Sequence, residues 1–182
     1  MKQLITLFIL LISLAASAQT EHMKFMGIPI NGNITAFQSK LVQKGFKFVK
    51  NGASSGEYEV YKQYSGKFAG KECTLFVSYD RKTKIVYDAQ VAYSFYYNEN
   101  YESKRDDMYE SLTSQLSNKY PNAIRKNGEN STTFIFDNGS IRLHTKNELY
   151  EYSNEGHQYL YVTYTDNINY NKSKSSFVSD DL

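Results

Sequence analysis

The chain lacks the residues with which many small exported proteins are cross-linked or rigidified. Tryptophan is absent, proline occurs twice, and Cys73 is the only cysteine among 182 residues. A single cysteine excludes an intramolecular disulfide, so the fold depends on its core alone. A chain of this length buries roughly 70% of its unfolded surface, which is enough for stability without a covalent cross-link.

Neither sign of charge predominates. The sequence carries 21 Lys and Arg residues against 19 Asp and Glu residues, a formal net charge of +2. Proteins dedicated to nucleic-acid binding usually show a strong basic excess or a basic stripe. We therefore expect no nucleic-acid partner.

The longest apolar stretch lies at the N-terminus and has the features of an export signal. Lys2 supplies a positive charge, residues 4–14 form a mainly apolar region, and Ala16-Ser17-Ala18 has the small-x-small pattern of a signal-peptidase site. The apolar stretch of about ten residues is short against the roughly twenty of a spanning helix. We predict a signal peptide over residues 1–18, no membrane span, and a periplasmic or secreted product. Gln19 stands where a lipoprotein would carry cysteine, so no lipid anchor is expected.

The remaining chain shows the same change of apolar period twice. Helical spacing predicts a first helix over about residues 33–44, with Asn33 as N-cap and Gly45 as a left-handed C-terminal cap. A predicted turn at residues 51–56 follows. Alternating apolar residues then predict three strands, which contain residues 58–60, 75–79 and 91–97.

A second helix is predicted over residues 101–119, and Pro121 ends it. Three strands follow again, and Asp137-Asn138-Gly139 forms a tight hairpin turn between the first two. The predicted fold is α+β, with two tandem α-β-β-β units forming an antiparallel sheet with helices packed on one face. The domain covers residues 19–170, with repeats at about 25–97 and 98–170, and a flexible tail follows over residues 171–182.

Four sequence features resemble those of small exported proteins of Bacteroidota. They are the opening Met26-Gly27-Ile28-Pro29-Ile30-Asn31-Gly32, the helix end Gly45-Phe46, the strand start Gly66-Lys67-Phe68-Ala69-Gly70, and the helix end Lys119-Tyr120-Pro121. The layout is similar to the tandem helix-plus-sheet arrangement of β-lactamase inhibitory proteins. Each half also resembles the small envelope-assembly lipoproteins of the outer membrane. The resemblance implies a sheet whose open face holds another protein or a peptide.

Tyrosine is the abundant residue suited to recognition, since the chain has 17 tyrosines. A tyrosine ring offers rigid contact area at low entropic cost. We predict an exported, non-catalytic binding or interaction protein whose partner is a protein or peptide of the cell envelope. The candidate binding residues are the strand tyrosines Tyr87, Tyr93, Tyr96, Tyr97, Tyr159 and Tyr161. Alternation along the strands places some of them in the core.

The alternative function is a small periplasmic or secreted hydrolase. Ser54 lies in a G-x-S-x-G pattern, but a strand-like segment follows it where a nucleophile elbow needs a helix. His144 and His157 are the other candidates, because they could face each other across the last hairpin. The three histidines of the chain lack the close spacing of a metal site, so we expect no metal and no cofactor.

Cleavage after Ala18 is the first testable expectation. The mature chain should begin at Gln19, which cyclises readily to pyroglutamate, because the preceding residues fit the signal-peptidase pattern. The intact mass of protein recovered from the cell envelope or medium measures this directly. Recovery of the chain with residues 1–18 still attached would contradict it.

Overall fold

The computed structural model describes residues 21–55, 60–96, 100–149 and 156–178. These residues form three helices and ten strands, so the fold class is α+β. The elements are β1 (Lys24–Phe25), β2 (Ile28–Pro29), α1 (Ile34–Gln43), β3 (Lys47–Ser55), β4 (Val60–Phe68), β5 (Lys71–Tyr79), β6 (Val86–Tyr96), α2 (Tyr101–Lys119), β7 (Ile124–Gly128), β8 (Ser131–Phe136), β9 (Gly139–Leu149), β10 (Gly156–Asp166) and α3 (Asn167–Val178). The predicted signal peptide lies outside the described residues.

Eight strands form one antiparallel sheet in the order β3-β4-β5-β6-β10-β9-β8-β7, and β1 pairs with β2 separately. The first four strands follow α1 and the last four follow α2. The two sets meet where β6 pairs with β10, from Tyr96 opposite His157 to Asp88 opposite Thr165. The predicted number of three strands after each helix is wrong, because four are present in each case.

The two extra strands, β3 and β7, form the edges of the sheet. The predicted turn at residues 51–56 falls partly within β3, where Phe48 pairs with Tyr64 and Ala53 with Lys62. Between these two pairs β3 advances by five residues and β4 by only two. The extra residues of β3, which include part of the predicted turn, therefore form a bulge. β7 contains five residues that are all exposed, so it has no alternation of buried and exposed positions to reveal it.

The ends of α1 follow from local chemistry. The Asn33 side chain accepts a hydrogen bond from the Thr35 N–H, as an N-cap residue does. Gly45 has a φ of 91°, and the Phe46 N–H donates to the Leu41 carbonyl over 3.0 Å. This arrangement satisfies the last carbonyl groups of the helix and turns the chain toward β3. α2 also has its predicted bounds.

The core lies between the sheet and the helices α1 and α2. α1 contributes Ile34, Phe37 and Leu41, α2 contributes Leu112 and Leu116, and the strands contribute Tyr64, Leu75, Val77, Val91, Phe134, Ile141, Leu143, Leu160 and Val162 among others. These strand residues share one face of the sheet, so α1 and α2 pack on the same side. The β1–β2 hairpin completes the core with Phe25, whose ring stacks on that of Phe68 at 5.6 Å.

A fully buried carboxylate joins the N-terminal segment to the end of β10. Asp166 accepts hydrogen bonds from the backbone N–H of Met23 and from that of Asn169, both over 2.9 Å. Nδ1 of His22 also lies 2.9 Å from the carboxylate. The bond from Asn169 makes Asp166 the N-cap of α3. This one side chain therefore fixes three parts of the chain relative to one another.

The third helix differs from the expected flexible tail over residues 171–182. α3 extends through Val178, and the residues beyond it lie outside the described part of the chain. Its inner face is polar: the Asn169 amide donates to the Ile30 carbonyl over 2.8 Å, and the Ser173 hydroxyl donates to Asp80 over 3.0 Å. A helix docked by hydrogen bonds has no apolar period, so the sequence pattern does not predict it.

Replacing Asp166 should destabilise the whole domain. Asp166→Ala removes the cap of α3 and leaves the buried Met23 N–H without an acceptor, so the free energy of unfolding should fall by roughly 2–4 kcal/mol. Asp166→Asn keeps an acceptor oxygen and should cost less. Urea denaturation followed by far-ultraviolet circular dichroism measures both. The exposed Asp107 is the matched control, since Asp107→Ala should change stability by less than about 0.5 kcal/mol. Equal stabilities of Asp166→Ala and Asp107→Ala would contradict the assignment.

Candidate functional site: the open face of the sheet

The open face is the surface of the eight-stranded sheet that faces away from α1 and α2. It is formed by even-numbered residues of β5, β6 and β9 and by odd-numbered residues of β4, β8 and β10. Two shallow depressions of about 790 and 700 Å³ lie on it and share Phe76 and Tyr161. Asn167 and Tyr170 of α3 border the larger one. The described part of this face is therefore a continuous, shallow groove.

Three rings stack along the middle of the open face. Tyr161 on β10 pairs directly with His144 on β9, and their ring centroids are 5.0 Å apart with an interplanar angle of 22°. Tyr159 precedes Tyr161 by two positions on β10, and its ring stacks on that of Tyr161 at a centroid distance of 5.6 Å, also at 22°. We call His144, Tyr161 and Tyr159 the ring stack. Side chains two apart on a strand share a face, which is why alternation and register together produce it.

Polar side chains connect the two halves of the sheet beside the ring stack. The Gln90 amide donates to the Thr163 hydroxyl over 3.1 Å, and the Thr165 hydroxyl donates to Asp88 over 2.9 Å. Each bond joins residues that lie opposite each other on β6 and β10. The groove floor is therefore held by hydrogen bonds as well as by the backbone ladder.

Positive charge surrounds the half-buried imidazole of His144. Burial lowers the pKa of His144 below its ordinary value, and the nearby charges of Arg142 and Lys146 lower it further. All three residues lie on the open face of β9, at alternate positions. The Nδ1 atom of His144 is buried, and no described atom forms a hydrogen bond with it. Near neutral pH His144 is thus a neutral ring within an electropositive row.

The structure places the predicted binding tyrosines in different environments. Tyr159 and Tyr161 belong to the ring stack, and Tyr96 is 68% exposed at the end of β6. Tyr93 points into the core, where its hydroxyl donates to the Phe68 carbonyl over 2.8 Å. Tyr93 is therefore a core residue and cannot contact a partner.

Tyr87 is buried for a different reason. β6 shifts its register against β5 between Ser78 and Tyr79, which leaves Tyr87 opposite neither of them. Its ring packs instead against Tyr170 of α3, with centroids 5.8 Å apart. Tyr87 lines the larger depression but is only 6% exposed. Tyr97 lies outside the described residues.

The residues of the alternative hydrolase are not brought together. Ser54 lies within β3, and its side chain lies outside the part of the structure described. β3 and β9 are five strand spacings apart, roughly 24 Å, so Ser54 and His144 are remote from each other. The expected pairing of His144 with His157 is wrong, because the register of the last hairpin sets Tyr161 opposite His144 and Glu148 opposite His157.

The described residues form neither a metal site nor a reactive thiol. No group of three or more His, Cys, Asp or Glu side chains in residues 21–55, 60–96, 100–149 and 156–178 is placed to hold a metal ion. Burial raises the pKa of the Cys73 thiol to about 11, with a smaller contribution from Glu72. Cys73 packs against the core and is a thiol, not a thiolate, at neutral pH.

No helix in the described chain is long and apolar enough to cross a membrane.

Comparison with known proteins leaves the open face to be interpreted from its own geometry. No protein-family model, no curated protein and no solved structure matches this chain. The resemblance to exported proteins of Bacteroidota and to β-lactamase inhibitory proteins accordingly stays a prediction.

The imidazole of His144 should titrate below the ordinary histidine value of 6.5. The chemical shifts of its ring protons, followed by NMR as a function of pH and assigned by comparison with His144→Gln, measure this pKa. Arg142→Gln should raise this pKa only part of the way toward 6.5, because the burial of the ring, which is the larger cause of the shift, remains. Between the folded and unfolded pKa values the unfolded chain binds more protons, so the free energy of unfolding should fall as the pH falls through that window. A folded-state pKa at or above 6.5 would contradict the described environment.

Proposed function

We propose that this protein is an exported, non-catalytic binding protein that holds a protein or peptide partner on the open face of its sheet. The single observation that carries the proposal is the ring stack, which lies in a continuous groove that neither α1 nor α2 covers. An antiparallel sheet commonly turns one face to water, and that face is then usually polar. Here it combines stacked rings with hydroxyl, amide and charged groups.

This combination is typical of recognition surfaces. Interface centres are enriched in tyrosine and arginine and surrounded by polar residues. The open face has the ring stack at its centre, the exposed Tyr96 toward one end, and a second aromatic pair, Tyr61 with Phe76 at 5.4 Å, on the other half of the sheet. The depressions give a partner concave surface on both sides of the stack.

We also propose that the chain consists of two tandem units. α1 with β3–β6 and α2 with β7–β10 each form a helix followed by a four-stranded meander. The strand order is consistent with a two-fold relation about the β6–β10 junction, and the ring stack lies beside that junction. The groove would then be built from both units, and its integrity would require both.

Site-specific photo-crosslinking tests the binding face. A photoreactive phenylalanine at Tyr96, which is exposed on the open face, should form adducts of defined mass in the cells that produce the protein. The matched control is the same residue at Val42, which is 54% exposed on α1 on the other side of the sheet. Adding Tyr161→Ala to the Tyr96 variant should reduce the adducts, because it removes the centre of the ring stack.

The controls decide between a specific face and general contact. Adducts that form equally from Val42 and Tyr96, or from Val42 alone, would contradict the proposed face. Thermal melting of each purified variant establishes that the fold is retained, so a loss of adducts in Tyr161→Ala reports on contact with the partner.

A further inference from the structure

The third helix has a sequence that does not favour helical structure by itself. α3 contains three asparagines and three serines among its 12 residues, and both residue types rank below alanine, leucine, lysine and glutamate as helix formers. Isolated helices shorter than about 12–15 residues are marginal in water even when they are rich in alanine. α3 is therefore helical because it is docked, and it should lose its helical structure when it leaves the domain.

Polar contacts hold α3 in place. Among the α3 side chains that the structure describes, the two that are buried are Asn169 and Ser173. The Asn169 amide donates to the carbonyl of Ile30 over 2.8 Å and to that of Val86 over 3.3 Å, and the Ser173 hydroxyl donates to Asp80. Water can replace such hydrogen bonds when the helix leaves, whereas exposing an apolar face would cost more free energy. Undocking of α3 should therefore require less free energy than unfolding of the sheet.

α3 covers one end of the larger depression on the open face. Asn167 and Tyr170 border that depression, and the ring of Tyr170 packs on Tyr87 of β6 with centroids 5.8 Å apart. Tyr87 is a lining residue of the same depression, although it is almost fully buried. Departure of α3 would uncover part of the Tyr87 ring and extend the aromatic floor of the groove to this end of the sheet.

From these observations we propose that α3 is an autoinhibitory cover on the open face. It undocks and unfolds as a unit while the sheet stays folded, and its undocking uncovers Tyr87 and lengthens the groove for the partner. Asp166 marks the hinge, because its carboxylate stays bonded to the Met23 N–H when the bond from the Asn169 N–H opens. The undocking is a property of the domain alone, whereas the inhibitory effect rests on the proposed binding function.

Hydrogen exchange followed by mass spectrometry tests the undocking. Amides of α3 should exchange more than about tenfold faster than those of β6 and β10, because α3 opens locally. Asn169→Ala removes both bonds to the carbonyl groups and should speed the exchange of α3 by about tenfold, with β6 unchanged. Asn171→Ala is the matched control. Asn171 is exposed, and alanine is the better helix former, so exchange of α3 should become about two- to threefold slower.

Hydroxyl-radical footprinting tests what the undocking uncovers. Tyr87 should be oxidised about threefold faster or more in Asn169→Ala than in Asn171→Ala, since the helix covers it for a smaller fraction of the time. Tyr93 is the internal control, because it lies on the same strand with its ring in the core. It should stay protected in both variants.

Two results would overturn the undocking. Faster exchange of β6 together with α3, or oxidation of Tyr93 together with Tyr87, would mean that α3 unfolds only with the whole domain. Unchanged exchange of α3 in Asn169→Ala would mean that this side chain does not hold the helix. Ser173→Ala, with the exposed Ser175→Ala as its control, gives the same comparison if Asn169→Ala does not fold.

Photo-crosslinking separates the inhibitory effect from the undocking. A photoreactive phenylalanine at Thr133 lies on β8 in the larger depression, away from α3. Combined with Asn169→Ala it should give about threefold more adducts in cells than with Asn171→Ala, because the affinity of a partner that needs the undocked state rises with the undocked fraction. Equal adducts from both combinations, in a domain whose α3 undocks, would overturn the inhibitory role. Absence of adducts at Thr133 and Tyr96 alike would contradict the binding function and the inhibitory role with it, while the exchange measurements still decide the undocking.

Discussion

The pairing of β6 with β10 is the interaction on which the rest of the structure depends. Nine residue pairs join strands that are separated by a helix and three further strands. On the inner side this pairing sets Leu160 beside Tyr93 and Val162 beside Val91, so that the apolar sides of both halves merge into one core. On the outer side it brings Thr163 and Thr165 to Gln90 and Asp88. A four-stranded half would expose much of its apolar side, and joining the halves removes that surface from water.

Asp166 extends this pairing to the ends of the domain. It is the last residue of β10, and its carboxylate bonds to the N-terminal segment and to α3. Asn169 and Ser173 continue the contact at intervals of three and four residues, which is the spacing of one helix face. The N-terminal hairpin and the C-terminal helix are therefore coupled through buried hydrogen bonds, while apolar contacts dominate under the sheet.

The sequence predicts the elements whose residues repeat with a clear period. α1 with its Gly45 cap, α2 and the hairpin turn at Asp137 and Asn138 agree with the structure. β7 is exposed throughout, β3 contains a bulge, and α3 docks through polar groups, so none of them shows an apolar period. The positions of the candidate binding tyrosines are harder to predict, because the face on which each lies depends on strand register. Tyr93 lies in the core and Tyr87 lies at a register shift, neither of which a single strand reveals.

The irregular edges of the sheet have a consequence for how the protein behaves when concentrated. A flat, regular edge strand is a template on which another chain can add a strand, and repeated addition leads to fibrils. The bulge in β3 interrupts that template on one side. On the other side β7 is short and carries Arg125 and Lys126, so two copies aligned antiparallel would set like charges against each other. Both edges thus resist self-assembly by strand addition, although the open face between them carries stacked aromatic rings.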